Sequence, residues 1–263
     1  MDRFLFGSMA VIEKPIRDNF KLHTHDSYEV YVYLEGDTDY IVEGTTYPLE
    51  KYDIIVLRPG EMHRAFHKSQ HRYKRMVFDI HEEFFEHNNC REYLAIFNNR
   101  EVGKQNKIPA GVVKDSGLAD AIERWFKYTK EGKGFSAIYN SVFIEILHIM
   151  NNTEILYADE ESDRLIPNLI SYINKNFTRK ITLEELAEEF YVSKYHLCRE
   201  FKKHTGHTII SYVNNKRLNK VKELYKLGMS INKACTEAGF SGYSAFYKTY
   251  LGVFGTSPKD GLN

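Results

Sequence analysis

Four side chains in the first quarter of the sequence have the types and the spacing of metal ligands. In the stretch HTHDSYEVYVYLEG, His23 and His25 are separated by one residue and Glu29 follows four residues later, and His63 comes after the turn RPGEMH. Imidazole and carboxylate donors in this number suit Zn, Fe, Mn or Ni. A metal held in this way would suggest an oxygenase or an isomerase, so the first hypothesis is an enzyme.

The same side chains also suit two roles that need no metal. They can hydrogen-bond a small polar effector, with Tyr31 and Tyr33 presenting ring faces to the C–H groups of a sugar, and Arg58 and Arg64 would add charge if they turn inward. They can also do no more than close the end of a barrel. The sequence leaves these three roles open. The candidate metal ligands are His23, His25, Glu29 and His63, and the candidate effector ligands are His23, His25, Glu29, Tyr31, Tyr33, Arg58 and His63.

The elements that position these side chains have the pattern of strands. Between residues 21 and 80, the segments YEVYVYLEG, DYIVEGTTYPL and YDIIVLRPG alternate or run β-branched and aromatic, with Gly, Pro and Asp between them. This pattern predicts a small antiparallel barrel or sandwich. Because alternate residues of a strand face the same side, Glu29, Tyr31 and Tyr33 share a face, which His23 and His25 join.

From His81 onward the hydrophobic period becomes helical. The helices predicted between Ala121 and Asn151 include the segment FSAIYNSVFIEILHIMNN, in which apolar residues recur at helical spacing. Such a face has to be covered. We interpret it as the seam of a homodimer, and the alternative is that it packs on its own barrel. Its residues are Ile138, Val142, Ile146 and Ile149. The acidic run DEESDR over residues 159–164 is the predicted linker.

The C-terminal part contains a repeat on a basic background. Residues 165–263 carry 15 Lys and Arg against 8 Asp and Glu, whereas residues 1–164 carry 21 against 28. A basic domain of this kind indicates a polyanion partner. Only helices are predicted here, with Thr182 and Ser193 as N-caps, and each copy of the repeat reads as a helix-turn-helix. The aligned pairs, 49 or 48 residues apart, are Leu197 with Phe246, Phe201 with Tyr250, Gly206 with Gly255, Thr208 with Ser257 and Ala187 with Cys235.

One face of each predicted second helix is left for DNA. In each copy two apolar residues four positions apart form the inner face, so the opposite face is free to enter a major groove. There Arg199 can make a bidentate contact to guanine worth roughly 1–3 kcal/mol of base discrimination, whereas Lys202, Lys203 and Lys216 suit phosphates. The candidate DNA-binding residues are Lys194, Tyr195, Cys198, Arg199, Lys202, Lys203, Lys216, Tyr243, Ser244, Tyr247 and Lys248.

The stretch SKYHLCREFKKHTGHTI and, 49 residues later, AGFSGYSAFYKTYLGVFGTSP closely resemble the AraC/XylS transcription regulators, over about 95 residues from Ile166 to the C-terminus. The resemblance implies seven helices, with a long helix around residues 213–227 bridging two units that enter successive major-groove segments. By position, the base-reading residues would be Tyr195, Cys198, Arg199, Tyr243, Ser244 and Lys248. The sequence departs from the family pattern at Tyr191, where the first turn often has a glycine, and at Ile209, Leu251 and Gly252.

The first half of the chain carries a second resemblance. HTHDSYEVYVYLEG is similar to the first cupin motif, and RPGEMH is similar to the second, with Pro59, Gly60 and His63. Sensor domains of AraC-type regulators look like cupins and commonly keep these positions while binding organic effectors. The resemblance therefore implies that no metal is required, although a divalent metal could anchor the effector.

Composition indicates where the protein works. No apolar run approaches the roughly 20 residues of a membrane span, and the N-terminus MDRFLFGSMAVIEK lacks the layout of a signal peptide. Cys90, Cys198 and Cys235 are widely spaced and in no CxxC pair, which favours free thiols in a reducing compartment. We expect a cytoplasmic protein without membrane contact. The roughly 20 residues before the barrel are long enough for an arm that folds over the effector.

These patterns predict a two-domain α+β protein. Residues 1–158 form a cupin-like β-barrel with a helical dimerisation extension, and residues 165–263 form an all-α tandem helix-turn-helix domain. The predicted function is that of an effector-responsive, sequence-specific transcription regulator, not an enzyme, which senses a sugar or related small metabolite. Its expected partners are double-stranded DNA, the effector, a second copy of the chain and, for an activator, RNA polymerase. The rival hypotheses are a cupin metalloenzyme with a helical appendage and a constitutive regulator with an unoccupied barrel.

Overall fold

The computed structural model describes residues 4–16, 22–130, 136–153 and 165–261. The chain folds as two compact units that divide between Glu161 and Ser162, and the predicted linker over residues 159–164 lies outside the described ranges. The three cysteines are free thiols, as predicted. Within the described ranges, no helix is both long enough and apolar enough to cross a membrane.

The N-terminal unit is built from two antiparallel sheets, as the alternating segments predict. One sheet has five strands in the order β1-β7-β2-β5-β8, and the other has three in the order β4-β3-β6. The predicted N-terminal arm is in part an edge strand of the larger sheet, because β1 pairs with β7 along its whole length. The strands are β1 (Leu5–Ile12), β2 (Tyr28–Glu35), β3 (Thr38–Val42), β4 (Thr45–Pro48), β5 (Ile54–Leu57), β6 (His63–His67), β7 (Tyr73–Ile80) and β8 (Lys107–Ile108).

Strand β2 is buried on both faces. Val30 and Val32 belong to an apolar cluster that the large sheet shares with the helices. Tyr31 and Tyr33 belong to a second cluster, which contains residues of both sheets, among them Tyr40 of β3. The predicted alternation along β2 is therefore confirmed, and it sends the phenols of this strand into the space between the sheets.

Helices cover the outer face of the large sheet. They are α1 (Glu82–His87), α2 (Ala95–Asn98), α3 (Ala110–Asp115), α4 (Leu118–Lys130) and α5 (Ser136–Asn152). The apolar face of α5 that was predicted as a dimer seam is turned inward. Val142 and Ile146 are 9% and 0% exposed in the cluster that includes Val30, and Ile149 packs against it. Ile138, which is 46% exposed, faces outward. The prediction that this face forms a dimer seam is wrong, because the face packs against the outer side of the large sheet and is part of the hydrophobic core.

The described residues of the C-terminal unit form seven helices, the number that the family resemblance implies. Both predicted N-caps are present, since the side chain of Thr182 accepts a hydrogen bond from the N–H of Glu185 and that of Ser193 accepts one from His196. The helices are α6 (Leu165–Asn176), α7 (Leu183–Glu189), α8 (Lys194–Thr205), α9 (Ile209–Lys226), α10 (Ile231–Glu237), α11 (Tyr243–Phe254) and α12 (Pro258–Gly261).

The long helix α9 packs on both helix-turn-helix units. In its first half, Tyr212 meets Phe201 of α8 edge to face, with ring centroids 5.5 Å apart. In its second half, Leu218 and Val221 lie in an apolar cluster with residues of α10 and α11, including Phe246. The bridging role expected of this helix is confirmed, and the two units share one continuous support.

Candidate functional site

Two segments that are distant in sequence meet at one end of the barrel. The backbones of His23 and His63 exchange two hydrogen bonds, of 3.0 and 2.9 Å. The N–H of Gly60 donates to the carbonyl of His25 at 3.1 Å, in a turn where Gly60 adopts a φ of +80°, a conformation that favours glycine. Glu29 follows as the second residue of β2. The HTHDSYE and RPGEMH motifs therefore form one site.

A carboxylate and two imidazoles converge at this site. His25 Nε2 lies 2.8 Å from Glu29 Oε2, and His63 Nε2 lies 4.0 Å from the same oxygen. One potential ligand atom from each residue lies within 4.8 Å of the other two. Glu29 and His63 are buried, with side chains 6% and 1% exposed. We call His25, Glu29 and His63 the barrel triad.

The orientation of both rings in the triad is fixed by backbone carbonyls. His25 Nδ1 donates to the carbonyl of Ser27 at 2.8 Å, and His63 Nδ1 donates to the carbonyl of Glu61 at 2.9 Å. Because a carbonyl only accepts, each Nδ1 must carry a proton. In both rings, Nε2 is consequently the atom that faces Glu29.

The charges in the triad are strongly coupled. Burial alone would raise the pKa of Glu29, but its hydrogen bond to His25 and the charges of His63 and His25 lower that pKa to about 2. Burial also tends to lower the pKa of His25, yet the hydrogen bond and charge of Glu29 raise it overall. Burial is the main cause that lowers the pKa of His63 to about 4. Near neutral pH, the triad therefore contains an ionised carboxylate beside a neutral His63.

Phenols line the interior next to the triad. Tyr40 donates to Glu29 Oε1 at 3.3 Å, and its ring lies 4.5 Å from that of Tyr31. The hydroxyls of Tyr31 and Tyr73 are 2.7 Å apart. Burial raises the pKa of Tyr73 to about 12 and those of Tyr31 and Tyr40 well above 10, so all three phenols are neutral donors.

Several of these interior residues were not predicted as site residues. Tyr40 and Tyr73 were missed, and so was Arg75, whose guanidinium lies 5.8 Å from the ring centre of Tyr31. The alternation in YKRMVFDI could have indicated Tyr73 and Arg75, because both are on the face of β7 that continues to Val77 in the interior cluster. His67, on the same face of β6 as His63, was also missed, and its Nδ1 lies 2.9 Å from the hydroxyl of Thr38.

Other predicted site residues lie beside the triad rather than in it. The ring of His23 packs edge-on against that of His63, with centroids 4.4 Å apart. Tyr33 is buried in the interior cluster. The guanidinium of Arg58 donates to the carbonyl of Arg100 at 2.8 Å and lies 3.5 Å from Glu61, so it joins a buried ion pair. Arg64 alternates with His63 on β6 and therefore faces away from the interior, toward the ring of Phe66 at 5.1 Å.

The two turns of the C-terminal repeat are equivalent atom for atom in their backbone bonding. In the first, Val192 N–H donates to Ala187 and Tyr191 N–H to Glu188. In the second, Phe240 N–H donates to Cys235 and Gly239 N–H to Thr236, and all four bonds measure 3.0 to 3.2 Å. Helices α8 and α11 also end alike, at Gly206 and Gly255, which have φ of +78° and +71°. The repeat seen in the sequence is therefore a repeat of structure.

The second position of each turn is left-handed. Gly239 has a φ of +93°, and a Cβ there would approach the carbonyl oxygen of Thr178 to 2.4 Å, so only glycine fits. The equivalent Tyr191 has a φ of +53°, and its side chain is 95% exposed. The departure from the family pattern at Tyr191 thus keeps the turn and places a strained residue in it.

The second helix of each unit has a buried inner face and an exposed outer face. Leu197 and Phe201 of α8, and Phe246 and Tyr250 of α11, are at most 2% exposed, as predicted. On α8, the Arg199 guanidinium pairs with Glu200 at 3.0 Å and lies 5.8 Å from the ring of Tyr195. Cys198 and Lys216 are half-buried. The exposed candidates are Lys194, Tyr195, Arg199, Lys202, Lys203, Tyr243, Ser244, Tyr247 and Lys248.

The outer faces of α8 and α11 differ in charge. That of α8 presents Lys194, Arg199, Lys202 and Lys203, whereas within the described residues of α11 the one cation is Lys248. Tyr243 and Tyr247 of α11 are 39% and 37% exposed, with ring centroids 6.1 Å apart. Both faces suit a groove in DNA, but one offers mainly charge and the other mainly rings and hydroxyls.

Comparison with known proteins gives matches over both units. Residues 6–146 match a family model described as an AraC-like ligand binding domain, and residues 186–262 match one described as a helix-turn-helix domain. The chain is 22% identical over 256 residues to the HTH-type transcriptional activator RhaS of Escherichia fergusonii, covering 96% of this chain and 91% of RhaS. It is 24% identical over 258 residues to the uncharacterized HTH-type transcriptional regulator YfiF of Bacillus subtilis, covering 91% and 78%. A crystal structure of ToxT from Vibrio cholerae O395 aligns with 99% of this chain and 98% of ToxT, at 12% identity and a TM-score of 0.42.

Proposed function

The chain belongs to the AraC family of transcription regulators, and from this premise we propose that it binds an operator as a homodimer and changes that binding when a small effector occupies its barrel. The observation that carries the proposal is the pair of equivalent turns, which leave the outer faces of α8 and α11 exposed on one shared support. We assign base reading to Tyr195, Cys198, Arg199, Tyr243, Ser244 and Lys248. Phosphate contacts fall to Lys202, Lys203 and Lys216, with Lys194 and Tyr247 at the edge of the interface.

The test of this assignment is selection of DNA sites from a random library with the full chain, followed by titration of the selected site. Arg199→Ala should lower affinity for that site by about 5- to 150-fold, the equivalent of roughly 1–3 kcal/mol for one bidentate base contact. Lys175→Ala removes an exposed lysine of α6 and should leave the affinity unchanged. Failure to select any sequence, or equal losses in the two variants, would contradict the proposed interface.

The effector that the barrel suits best is a sugar or a related polyhydroxylated metabolite. The phenols of Tyr31 and Tyr40 are buried next to the carboxylate of Glu29, and an effector that enters between them would meet ring faces and hydroxyls, a combination that fits alternating C–H and O–H groups. The barrel in this proposal senses and does not catalyse. Glu29 and His63 serve to bind, and effector binding shifts the population of chains that hold DNA.

Thermal unfolding of the full chain with a panel of sugars and related metabolites tests the effector. A ligand present at 100 times its Kd should stabilise the N-terminal unit by roughly 2.7 kcal/mol. A panel without any effect would favour the constitutive regulator with an empty barrel. Conversion of any compound in the panel into a product that Glu29→Gln no longer forms would favour the cupin enzyme.

Homodimerisation is proposed from family membership, and sedimentation of the full chain tests it. The inward-facing residues Val142 and Ile146 leave Ile138, Ser141 and Glu145 as the outward face of α5 that a second copy could cover. A dimer would place four helix-turn-helix units on two half-sites. An activator would in addition contact RNA polymerase, and the sign of regulation is read from transcription with and without the protein.

A further inference from the structure

A short loop after α6 contacts both helix-turn-helix units. It covers residues 177–180, between the end of α6 at Asn176 and the N-cap of α7 at Thr182, and we call it the clasp loop. We propose that Arg217 of α9 is a positioning residue for DNA binding, because it holds the clasp loop in place and so fixes the distance between the subsites that α8 and α11 read. This role rests on the proposed function, in which both helices read bases.

Arg217 is bound to the clasp loop at two points. Its Nε donates to the carbonyl of Phe177 at 2.7 Å, and its Nη2 donates to the carbonyl of Arg179 at 2.8 Å. The planar fork of a guanidinium can satisfy two such acceptors at once, whereas the ammonium of a lysine is a compact point charge. Arg217 therefore fixes the backbone of the loop against α9 on both sides of Thr178.

Between these two hydrogen bonds, the clasp loop meets the second helix-turn-helix unit. A Cβ at Gly239, in the turn of that unit, would approach the oxygen, the carbonyl carbon and the Cα of Thr178 to 2.4, 2.8 and 2.9 Å. The Cα of Gly239 therefore lies directly against the backbone of the loop. Two backbones in contact cannot rotate apart as side chains can, so the position of the loop determines where this turn can lie.

The clasp loop is also attached to α6 and to the first unit. The guanidinium of Arg179 lies 2.6 Å from the carboxylate of Glu185 on α7, and it donates to Asn176 at 3.0 Å and to the hydroxyl of Tyr172 at 2.6 Å. The ring of Tyr172 packs edge to face on that of Phe190 in the first turn, with centroids 5.8 Å apart. The loop is thus a second connection between the two units, in addition to α9.

The location of Arg217 on α9 suits this role. It lies between Tyr212, which packs on α8, and Val221, which packs with residues of α10 and α11, and it is next to Leu218 of the same cluster. Arg217 therefore binds the loop where the support passes from the first unit to the second. Two units that are held at two places resist rotation about the axis of α9 better than two units joined by one helix.

A rigid pair of units tolerates only one spacing between its subsites. One inserted base pair moves the second subsite by about 3.4 Å along the DNA and by about 35° around it, since one helical turn takes about 10–10.5 base pairs. The wild-type chain should lose a base contact when it binds such a site, which lowers its affinity by about 5- to 150-fold. Without the clasp the second unit can adjust, so this spacing penalty should fall by at least about twofold.

The test measures the affinity of the full chain for a duplex with one selected half-site, and for the same duplex with one base pair inserted or removed between the subsites. The subsites are located by the base preferences that Arg199→Ala and Lys248→Ala lose. Arg217→Met removes both hydrogen bonds, and Arg217→Lys keeps the charge without the fork. Both should reduce the spacing penalty by at least about twofold. Arg179→Ala should do the same, because it frees the loop from α6 and α7 while its own carbonyl stays in place.

Lys216→Ala is the matched control, because Lys216 is the neighbouring cation on α9 and makes a phosphate contact in the proposed interface. It should weaken binding at every spacing by the same factor and reduce the slope of log affinity against log salt concentration by about 1. Arg217→Lys should leave that slope unchanged and still reduce the spacing penalty. Circular dichroism verifies that each variant is folded, and Arg179→Ala decides if the Arg217 variants do not fold.

Two results would overturn the positioning role and leave the proposed function intact. One is a spacing penalty that is unchanged in the folded Arg217 and Arg179 variants, and the other is a wild-type chain that binds all spacings alike. If Arg217→Lys equals the wild-type chain while Arg217→Met loses affinity equally at every spacing, Arg217 contacts phosphate or only stabilises the unit, and positioning is refuted. Failure to select any site would overturn the proposed function, and this role with it.

Discussion

Replacing Arg100 with alanine should destabilise the N-terminal unit more than removal of any surface arginine. Arg100 Nη1 and Nη2 donate to Glu61 Oε1 and Oε2 at 2.8 and 2.6 Å, and the two side chains are only 1% and 2% exposed. The variant leaves the carboxylate of Glu61 buried without its main counter-charge. Removing one partner of a buried pair costs about 3–5 kcal/mol.

The remaining contacts of Glu61 place the expected loss near the lower end of that range. Its carboxylate keeps the N–H of Gly103 at 3.0 Å, the amide of Asn106 at 3.3 Å and the guanidinium of Arg58 at 3.5 Å. We therefore expect a loss of about 3 kcal/mol. For a unit of this size, roughly 1 kcal/mol lowers Tm by about 2–4 °C, so Tm should fall by about 6–12 °C.

The matched control is Arg124→Ala. Arg124 also pairs with a glutamate, Glu145, at 2.6 Å, but these side chains are 41% and 46% exposed. Such a pair contributes about 0–1 kcal/mol. Calorimetry of the full chain resolves the unfolding transition of the N-terminal unit in both variants, and the effector-free wild-type chain is the reference.

The pH dependence of stability is a second test of the Arg100–Glu61 ion pair. Burial would raise the pKa of Glu61, but the hydrogen bonds and charge of Arg100 lower it overall. The wild-type carboxylate therefore stabilises the fold above its unfolded pKa of about 4.3, and this stability is lost as the pH falls through the lower folded pKa. In Arg100→Ala, burial is no longer outweighed by Arg100 and it raises the pKa of Glu61. The carboxyl of Glu61 therefore takes up a proton, and loses its buried charge, as the pH falls. The deficit of the variant should be largest near neutral pH and shrink toward about pH 4. A deficit equal to that of Arg124→Ala, or one constant with pH, would refute the reasoning.

Four further substitutions have clear expected outcomes. Tyr191→Gly should stabilise the C-terminal unit by up to about 1 kcal/mol in urea unfolding, because it relieves a left-handed residue whose exposed side chain packs on nothing; a loss of stability would mean that Tyr191 is not strained. Gly239→Ala should destabilise the same unit by roughly 1–3 kcal/mol or more, because its Cβ would meet the carbonyl of Thr178, and an unchanged midpoint would contradict the turn geometry. Val142→Asp should unfold the N-terminal unit by burying a charge, whereas Ile138→Asp should leave it folded and, if the outward face of α5 is the dimer seam, convert the sedimenting species to a monomer. A dimer that survives Ile138→Asp places the seam elsewhere.

More of the C-terminal unit than of the N-terminal unit could be predicted from the sequence, because its signals are local. Its caps, turns and inner faces are local: Thr182 and Glu185 are three residues apart, and Leu197 and Phe201 are four apart. In the strands of the barrel, the alternation of residues also predicted which side chains face the interior. In contrast, the pairing of Glu61 with Arg100 joins residues 39 positions apart, and no local pattern indicates it.

The candidate ligand site was only partly predictable for the same reason. The motifs supplied His25, Glu29 and His63, but which of the neighbouring groups join them depends on strand register. The pairing of β3 with β6 sets Tyr40 opposite Ala65 and carries its hydroxyl to Glu29, and the alternation on β6 turns Arg64 away. On α5, periodicity revealed the apolar face, but it could not indicate whether the partner of that face was a second copy or the sheet of the same chain.

The unequal outer faces of α8 and α11 have a consequence for how the protein leaves its site. Attraction between cations and the phosphate backbone weakens as ionic strength rises, because the counterions released on binding gain less entropy when they enter a more concentrated salt solution. The four cations of α8 are subject to this decline, whereas the tyrosine rings of α11, with Lys248 alone among them, are largely spared. At high salt concentration, the contacts of α8 with DNA should therefore weaken before those of α11. The sequence preference that remains should then come mainly from the bases that α11 contacts.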